Sequence, residues 1–327
     1  MLLLSRQDIE EVFSMSEGIE AVKEAFSLFS EGKSEVPLRT QIQAEGHGTF
    51  LFMPAYSATL EAAAVKIVSI FPENSKRGLP SAPAQVMLIN GLTGVVESML
   101  DGTYVTQLRT GAASGAAFDV LGLKDAEYGA LIGTGGQAAC QLEAMICGRQ
   151  LKEVRVAGLD FERTKVFVEK MNRSLRAYGT RIVGVATSAE AVEQADLIIT
   201  VTSATSPVFD GRLVKKGATI SCVGSYQPQM QELDPLILKE GAKIYFDSEE
   251  AVLSESGDLL IPLADGVITK ESFSGDLGDV LLGRCLGREN DQEIIVFKTV
   301  GIGTQDLVTA KAIVEKAKGA QVGTKWE

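Results

Sequence analysis

Between Tyr128 and Asp160 the chain reads YGALIGTGGQAACQLEAMICGRQLKEVRVAGLD. No other stretch narrows the fold so far. Tyr128 to Ile132 is an apolar run too short for a helix, so it reads as a strand. Gly133-Thr134-Gly135-Gly136-Gln137-Ala138 follows at once and matches the G-x-G-x-x-A form of the dinucleotide fingerprint. Gly133 permits the tight turn, Gly135 lets backbone N–H groups approach a pyrophosphate, and Ala138 lets the next helix sit close on the strand. That helix, from about Gln137 to Cys147, aims its partly positive N-terminus at the phosphates. Val154 to Leu159 makes a second strand, and Asp160 ends it 27 residues after Gly133. The usual interval is about 20, so Asp160 is a slightly late candidate for the ribose hydroxyls. The competing reading is a glycine turn in an α/β protein that binds no nucleotide.

The chain of 327 residues is long enough for two domains, and 45% hydrophobic content suits sizeable cores. A net charge of −12 argues against nucleic acid and anionic membranes as partners. No apolar run approaches the roughly 20 residues of a bilayer crossing, and Met1-Leu2-Leu3-Leu4 is too short for a signal peptide. A cytoplasmic protein is expected. Cys140, Cys147, Cys222 and Cys285 show no metal-ligand spacing, so buried thiols are expected and no metal. The single histidine, His47, lies in EGHGT and reads as an exposed turn residue, with no G-x-S-x-G elbow to make a triad. Acid–base chemistry would fall to Lys, Asp, Glu or water.

Ser14 and Glu17 predict a capping box, with Ile19, Val22, Phe26 and Phe29 on one helical face and Gly32 as the stop. From Val36 to Leu100 the pattern is of strands: Thr49 to Pro54, Ala64 to Phe71, and a hairpin of Ala84 to Ile89 with Val95 to Leu100 around Asn90-Gly91. This antiparallel block predicts a domain separate from the nucleotide fold. Three cations stand out in and after it: Arg39 in VPLRTQI, Lys66 in AAAVKIVSI and Arg109 in YVTQLRTGAASGAAF. Lys66 interrupts an apolar strand, unless alternation turns it to solvent. Arg109 is read as opening a small-residue helix, where a cation and free N–H groups together suit a carboxylate. The rival reading is a surface arginine paired with Glu97 or Asp101.

After the fingerprint, strands and helices alternate. Arg181 to Val185, Asp196 to Val201, Ala218 to Val223 and Ala242 to Phe246 read as strands, then Glu293 to Lys298, then a helix from Gln305 to about Lys318. Thr202, Ser203 and Gly224 stand at strand carboxyl ends, where ligands bind in such sheets, or are ordinary turn residues. Asp258, Asp265, Asp276 and Asp279 read as solvated surface for the most part. The expected fold is α/β: a Rossmann-type doubly wound sheet over 119–303, plus an α+β substrate and dimerisation domain from 1–118 with 304–327.

The motifs MPAY (53–56), VKIVSIFPEN (65–74), LRTGAASG (108–115), IGTGGQA (132–138), QELD (231–234) and VGIGTQDLVTA (300–310) occur in that order. Over nearly the whole length the chain therefore resembles the ornithine cyclodeaminase and mu-crystallin family. The resemblance implies a homodimer, a small α-amino or α-imino acid substrate, and NAD as cofactor with NADP possible. By motif, Arg39 and Arg109 would hold the substrate carboxylate, with Lys66 beside the reacting carbon as the catalytic group. The expected cofactor-binding set is Thr110, Gly133, Thr134, Gly135, Gly136, Gln137, Asp160, Arg163, Thr202, Ser203, Val223, Gly224 and Gly301. Asp160 would disfavour a 2′-phosphate, and Arg163 would offset that. Two departures matter. Tyr226 stands where the cyclodeaminases have an acid–base aspartate, and Leu51 where the ornithine enzymes have a glutamate. Both favour an NAD(P)H-dependent ketimine (cyclic imino acid) reductase. Ornithine cyclodeaminase, alanine dehydrogenase and a non-catalytic small-ligand binding protein are the alternatives.

Overall fold

A computed structural model of the chain describes residues 1–326. In order, the elements begin β1 (Leu2–Leu4), α1 (Arg6–Val12), α2 (Met15–Ser30), β2 (Thr40–Ala44), β3 (Gly48–Ser57) and β4 (Ala62–Ile70). Then come β5 (Ala84–Asn90), β6 (Val96–Asp101), α3 (Gly102–Leu121), β7 (Tyr128–Ile132), α4 (Ala138–Cys147), β8 (Glu153–Ala157) and α5 (Phe161–Ser174). β9 (Arg181–Gly184), α6 (Ser188–Val192), β10 (Leu197–Thr200), β11 (Thr219–Cys222), α7 (Pro235–Lys239) and β12 (Lys243–Phe246) follow. The last are α8 (Glu249–Glu255), α9 (Gly257–Ala264), β13 (Phe273–Asp276), α10 (Leu277–Leu281), β14 (Ile295–Lys298), α11 (Gly303–Ala320) and β15 (Thr324–Lys325). The chain divides into two compact units, residues 1–109 with 301–327, and residues 110–300. Among the described residues no helix is long and apolar enough to cross a membrane.

The first unit is a mixed sheet in the order β15-β1-β6-β5-β4-β3-β2, with the β2-to-β6 run antiparallel and β1 parallel to β6. Helix α11 lies across β3 and β4 and alongside α2. The Ser14 hydroxyl and Glu17 carboxylate cap α2 reciprocally, and Val22 and Phe26 go into the core. Along β4 the residues Ala62, Ala64, Lys66 and Val68 all share the buried face, as a two-residue period requires. Lys66 therefore points inward; the solvent-facing reading of it is wrong.

Helix α3 begins at Gly102, directly after β6. A Cβ there would lie 2.6 Å from the Gln85 backbone, so only glycine allows so abrupt a joint. The helix thus starts seven residues before Arg109 and not at it, which removes the helix-end argument for that arginine. The Tyr104 backbone N–H takes Asp101, and Glu97 accepts from Asn90 and Lys318, so neither acid pairs with Arg109.

The second unit is an eight-stranded, wholly parallel sheet in the order β13-β12-β14-β11-β10-β7-β8-β9. From β9 to β14 this is the doubly wound order, and the reversal falls between β7 and β10. β10, β11 and β14 are buried on both faces, hence their near-continuous apolar sequence. Strand β13 is absent from the sequence reading: FSGD is short, half-buried and carries Gly275 at φ +123°, so it offers no period to read. Asp258 is also not surface. It is fully buried at the start of α9, whereas Asp265 is exposed.

Candidate active site

In the first unit three elements converge on one buried carboxylate. Lys66, opposite Met53 on β3 and Val86 on β5, places its Nζ 2.7 Å from Asp306 Oδ2 and 3.0 Å from Oδ1. Arg109, from α3, donates from Nε to the same Oδ1 at 3.1 Å, and from Nη1 to Gln305 Oε1 at 3.1 Å. Lys66 and Asp306 are each 1% exposed and Arg109 is 4%. Asp306 and Gln305 sit in the first turn of α11, so the segment before that helix sets the cluster. Gly301, in that segment, has φ +83°, and a Cβ on it would fall 2.2 Å from Arg109 Nη1. Only glycine leaves room for the guanidinium. The Gly301 carbonyl in turn accepts from Arg39 Nη2 at 3.1 Å. The structure thus brings Lys66, Arg109, Arg39 and Gly301 together.

Two buried cations face one carboxylate, with the half-buried Arg39 close by. Burial, and then the Arg109 charge, hold the Lys66 ammonium down to about 7; Asp306 opposes this and Arg39 adds to it. A group poised there can give or take a proton near neutral pH. The net positive charge suits an anionic ligand, since desolvated cations keep their attraction for a carboxylate. Asp306 is the functional candidate that sequence reading missed, although it lies within the VGIGTQDLVTA motif.

The second unit carries the glycine turn. Gly133 has φ +115°, and a Cβ there would sit 2.6 Å from the Val201 carbonyl oxygen, so no other residue fits. Around Gly135 a Cβ would meet nothing within 4 Å. Among the described residues, the backbone N–H groups of Gly135 and Gly136 have no acceptor. Gln137 precedes α4 without a side-chain capping bond. Open space, free N–H groups and an uncapped helix N-terminus are what a pyrophosphate needs, so these residues fit a dinucleotide. Thr134 beside them is half-buried.

Asp160 is exposed and N-caps α5, its Oδ1 accepting from the Arg163 backbone N–H at 3.1 Å. Among the described residues its second oxygen has no hydrogen-bond partner; the Arg163 side chain is exposed. Thr202 and Gly224 follow adjacent strands β10 and β11, with Val223 buried and Ser203 exposed. Thr110 is buried, its carbonyl accepting from Gln141 Nε2 at 3.0 Å. His47 lies in an exposed turn. Cys140 and Cys222 are buried, whereas Cys147 and Cys285 are only partly so.

Residues 1–321 match the model of the ornithine cyclodeaminase/mu-crystallin family. The chain belongs to that family. A Delta(1)-pyrroline-2-carboxylate reductase of Bacillus cereus is 35% identical over 328 residues, covering 100% of each chain. The fold matches that of the Thermococcus litoralis Delta(1)-pyrroline-2-carboxylate reductase, solved with NADH and L-proline, at a TM-score of 0.95 and 41% identity, covering 100% of both chains. An archaeal alanine dehydrogenase dimer with bound NAD follows at 0.91 and 33%, covering 100% of this chain and 99% of that one.

Leu51 lies in the first unit and Tyr226 in the second. Leu51 is buried with Met53, Val68, Ala84, Ile70 and Ala82 in a small apolar cluster of the first unit. The row Leu51–Val68–Ala84 lies one step along the sheet from the row Met53–Lys66–Val86. The sheet row beside that of Lys66 is therefore apolar and carries no acidic side chain of its own. Tyr226 is half-buried in the second unit, and burial pushes its phenol up, away from use as a base.

Proposed function

We propose that this member of the family reduces a small cyclic α-imino acid to the corresponding cyclic α-amino acid, with NADH as the preferred reductant. The observation that carries the reading is the buried cluster of Lys66 and Arg109 against the single carboxylate of Asp306. Arg39 and Arg109 hold the substrate carboxylate, and their planar forks fix its orientation. The apolar row beginning at Leu51 accepts an aliphatic ring and gives ornithine's second ammonium no partner. Lys66 stands beside the imine and delivers one proton to its nitrogen. When bound, the reduced nicotinamide supplies the hydride that goes to the imine carbon. Imine, hydride and proton balance to the saturated ring with no further acid or base, which is why Tyr226 can occupy the position of the family aspartate. Similarity to pyrroline-2-carboxylate reductases supports the same substrate class.

Gly133, Thr134, Gly135, Gly136 and Gln137 cradle the pyrophosphate. Asp160, with one oxygen uncommitted, binds the adenosine ribose and disfavours a 2′-phosphate. Thr110, Thr202, Ser203, Val223 and Gly224 border the remainder of the cofactor, and Gly301 and Arg163 its margins. The active assembly is a homodimer. The archaeal alanine dehydrogenase dimer supports this, as do Leu38, Ile42 and Phe50, which are exposed at or near the open β2 edge of the first sheet. Cysteines kept out of disulfides suit a cytoplasmic enzyme.

The test is a panel of NADH oxidation with Δ1-pyrroline-2-carboxylate, its six-membered homologue, and pyruvate plus ammonia, beside NAD-dependent ammonia release from ornithine. Turnover of the cyclic imines well above the other two is expected. Turnover confined to pyruvate or to ornithine would overturn the reading.

A further inference from the structure

The second unit contains a buried ionic cluster that the reaction above leaves unused. Glu232, fully buried, lies in the QELD segment between β11 and α7. Its Oε1 accepts from the Thr202 backbone N–H at 2.5 Å, and its Oε2 from the Gly224 N–H at 2.6 Å and the Thr200 hydroxyl at 3.1 Å. One carboxylate thus ties together the segments leaving β10 and β11. Asp258 fixes the clamp from behind, its Oδ1 accepting from the N–H groups of Glu232 at 2.6 Å and Leu233 at 3.0 Å. Asp258 Oδ2 lies 3.2 Å from Nζ of Lys298 at the end of β14, and both residues are fully buried. Gly224 fits only as glycine, because a Cβ would fall 2.1 Å from the Thr202 carbonyl oxygen. The two segments are packed and bonded into one fixed ledge.

In a doubly wound sheet each half serves one mononucleotide. The half with β7, β8 and β9 carries the glycine turn and Asp160 and so takes the adenosine side. The half with β10, β11 and β14 is left for the other nucleotide, and Glu232 lies under its ligand-facing rim. We propose that Glu232, braced by Asp258 and Lys298, is a positioning residue for the nicotinamide half of the cofactor, holding the Thr202 and Gly224 segments in the arrangement that binds it. This rests on the reading that the unit binds NAD(H). The two oxygens each receive a backbone N–H, so a carboxylate is required. A glutamine would turn its NH2 toward one of those donors and leave that N–H unpaired.

The test compares affinities for NADH and for ADP-ribose, which lacks the nicotinamide, in wild type and in Glu232→Gln. NADH affinity is expected to fall at least ~10-fold, the scale of a buried donor left without its acceptor, with ADP-ribose affinity unchanged and KM for NADH raised. A purely structural role would lower thermal stability yet leave the ratio of the two affinities where it was, and that unchanged ratio would overturn the proposal. If Glu232→Gln gives no folded protein, Thr200→Val removes one donor to the same carboxylate. NADH affinity should then weaken by about threefold against constant ADP-ribose binding, and equal affinities to wild type would overturn it. Wild-type protein that binds neither probe would instead sink the cofactor reading itself.

Discussion

The two buried charge clusters use the same parts to opposite ends. In the first unit two cations, Lys66 and Arg109, share the one carboxylate of Asp306. In the second, two carboxylates, Glu232 and Asp258, share the one ammonium of Lys298. Charge imbalance alone does not separate them. What does is the supply of partners. Glu232 takes two backbone N–H groups and a hydroxyl, and Asp258 Oδ1 takes two further N–H groups, all from their own unit, while Asp258 Oδ2 faces Lys298. An arginine and a lysine only donate, and their spare hydrogens want an acceptor that a substrate carboxylate can supply. On the proposed reading, the acid-rich buried cluster serves as scaffold and the base-rich one as receptor.

That contrast can be broken most forcefully at Lys66. Lys66→Ala should lower turnover of the cyclic imine by about a thousandfold or more, at the upper end of what one proton-transfer group contributes, with NADH affinity intact by titration. A fully active variant would remove Lys66 from the chemistry. Next come Asp306→Asn and Lys298→Met, each of which strips the counter-charge from a buried cluster and should cost ~3–5 kcal/mol of stability. Thermal denaturation should tell the two apart. Added proline, a carboxylate, should restore much of the melting temperature of Asp306→Asn and none of that of Lys298→Met. Equal responses would erase the distinction between receptor and scaffold.

A subtler effect lies in the pH profile. Lys66 has its ammonium held down to about 7, and imine reduction needs the protonated form. Thus kcat/KM should be flat below that pH and fall about tenfold per unit above it. A bound carboxylate adds negative charge and raises the lysine again, so the limb in kcat should sit at higher pH than the limb in kcat/KM. Coincident limbs would mean the substrate anion binds elsewhere. The smallest change is expected at a control outside both clusters. Asp160→Ser keeps a capping hydroxyl for α5 and should leave stability within ~0.5 kcal/mol, while the NADH-to-NADPH preference in kcat/KM shifts toward NADPH.

Local chemistry makes much of this molecule readable in advance. The Gly133 turn, the Ser14–Glu17 capping box and the Asn90-Gly91 hairpin each depend on a few adjacent residues, and each is present as read. Lys66 and Arg109 are visible as oddities in the sequence, but their surroundings are not. Asp306 lies 240 residues from Lys66 and looks like any acid in the first turn of a helix. The placement of Arg109 within α3 depends on Gly102, whose role is set by the Gln85 backbone across the sheet. Asp258 passes for a surface acid for the same reason, since Lys298 is 40 residues away, at the end of strand β14. Propensity and period speak for neighbours in sequence; counter-ions are chosen by the fold.

The first unit is assembled from two stretches of chain, and their outer ends are laced together, with the Met1 amino group on the Trp326 carbonyl at 3.0 Å and the Trp326 N–H on the Met1 carbonyl at 2.8 Å. A ribosome delivers Lys66 and Arg109 roughly two hundred residues before Asp306. During synthesis those side chains must wait, solvated and unmatched, while the intervening nucleotide-type fold is made. The proposed receptor for the substrate anion would thus be a part of this protein that closes late in biogenesis, and a chain released before Asp306 would have a sheet without the acid that Lys66 and Arg109 share.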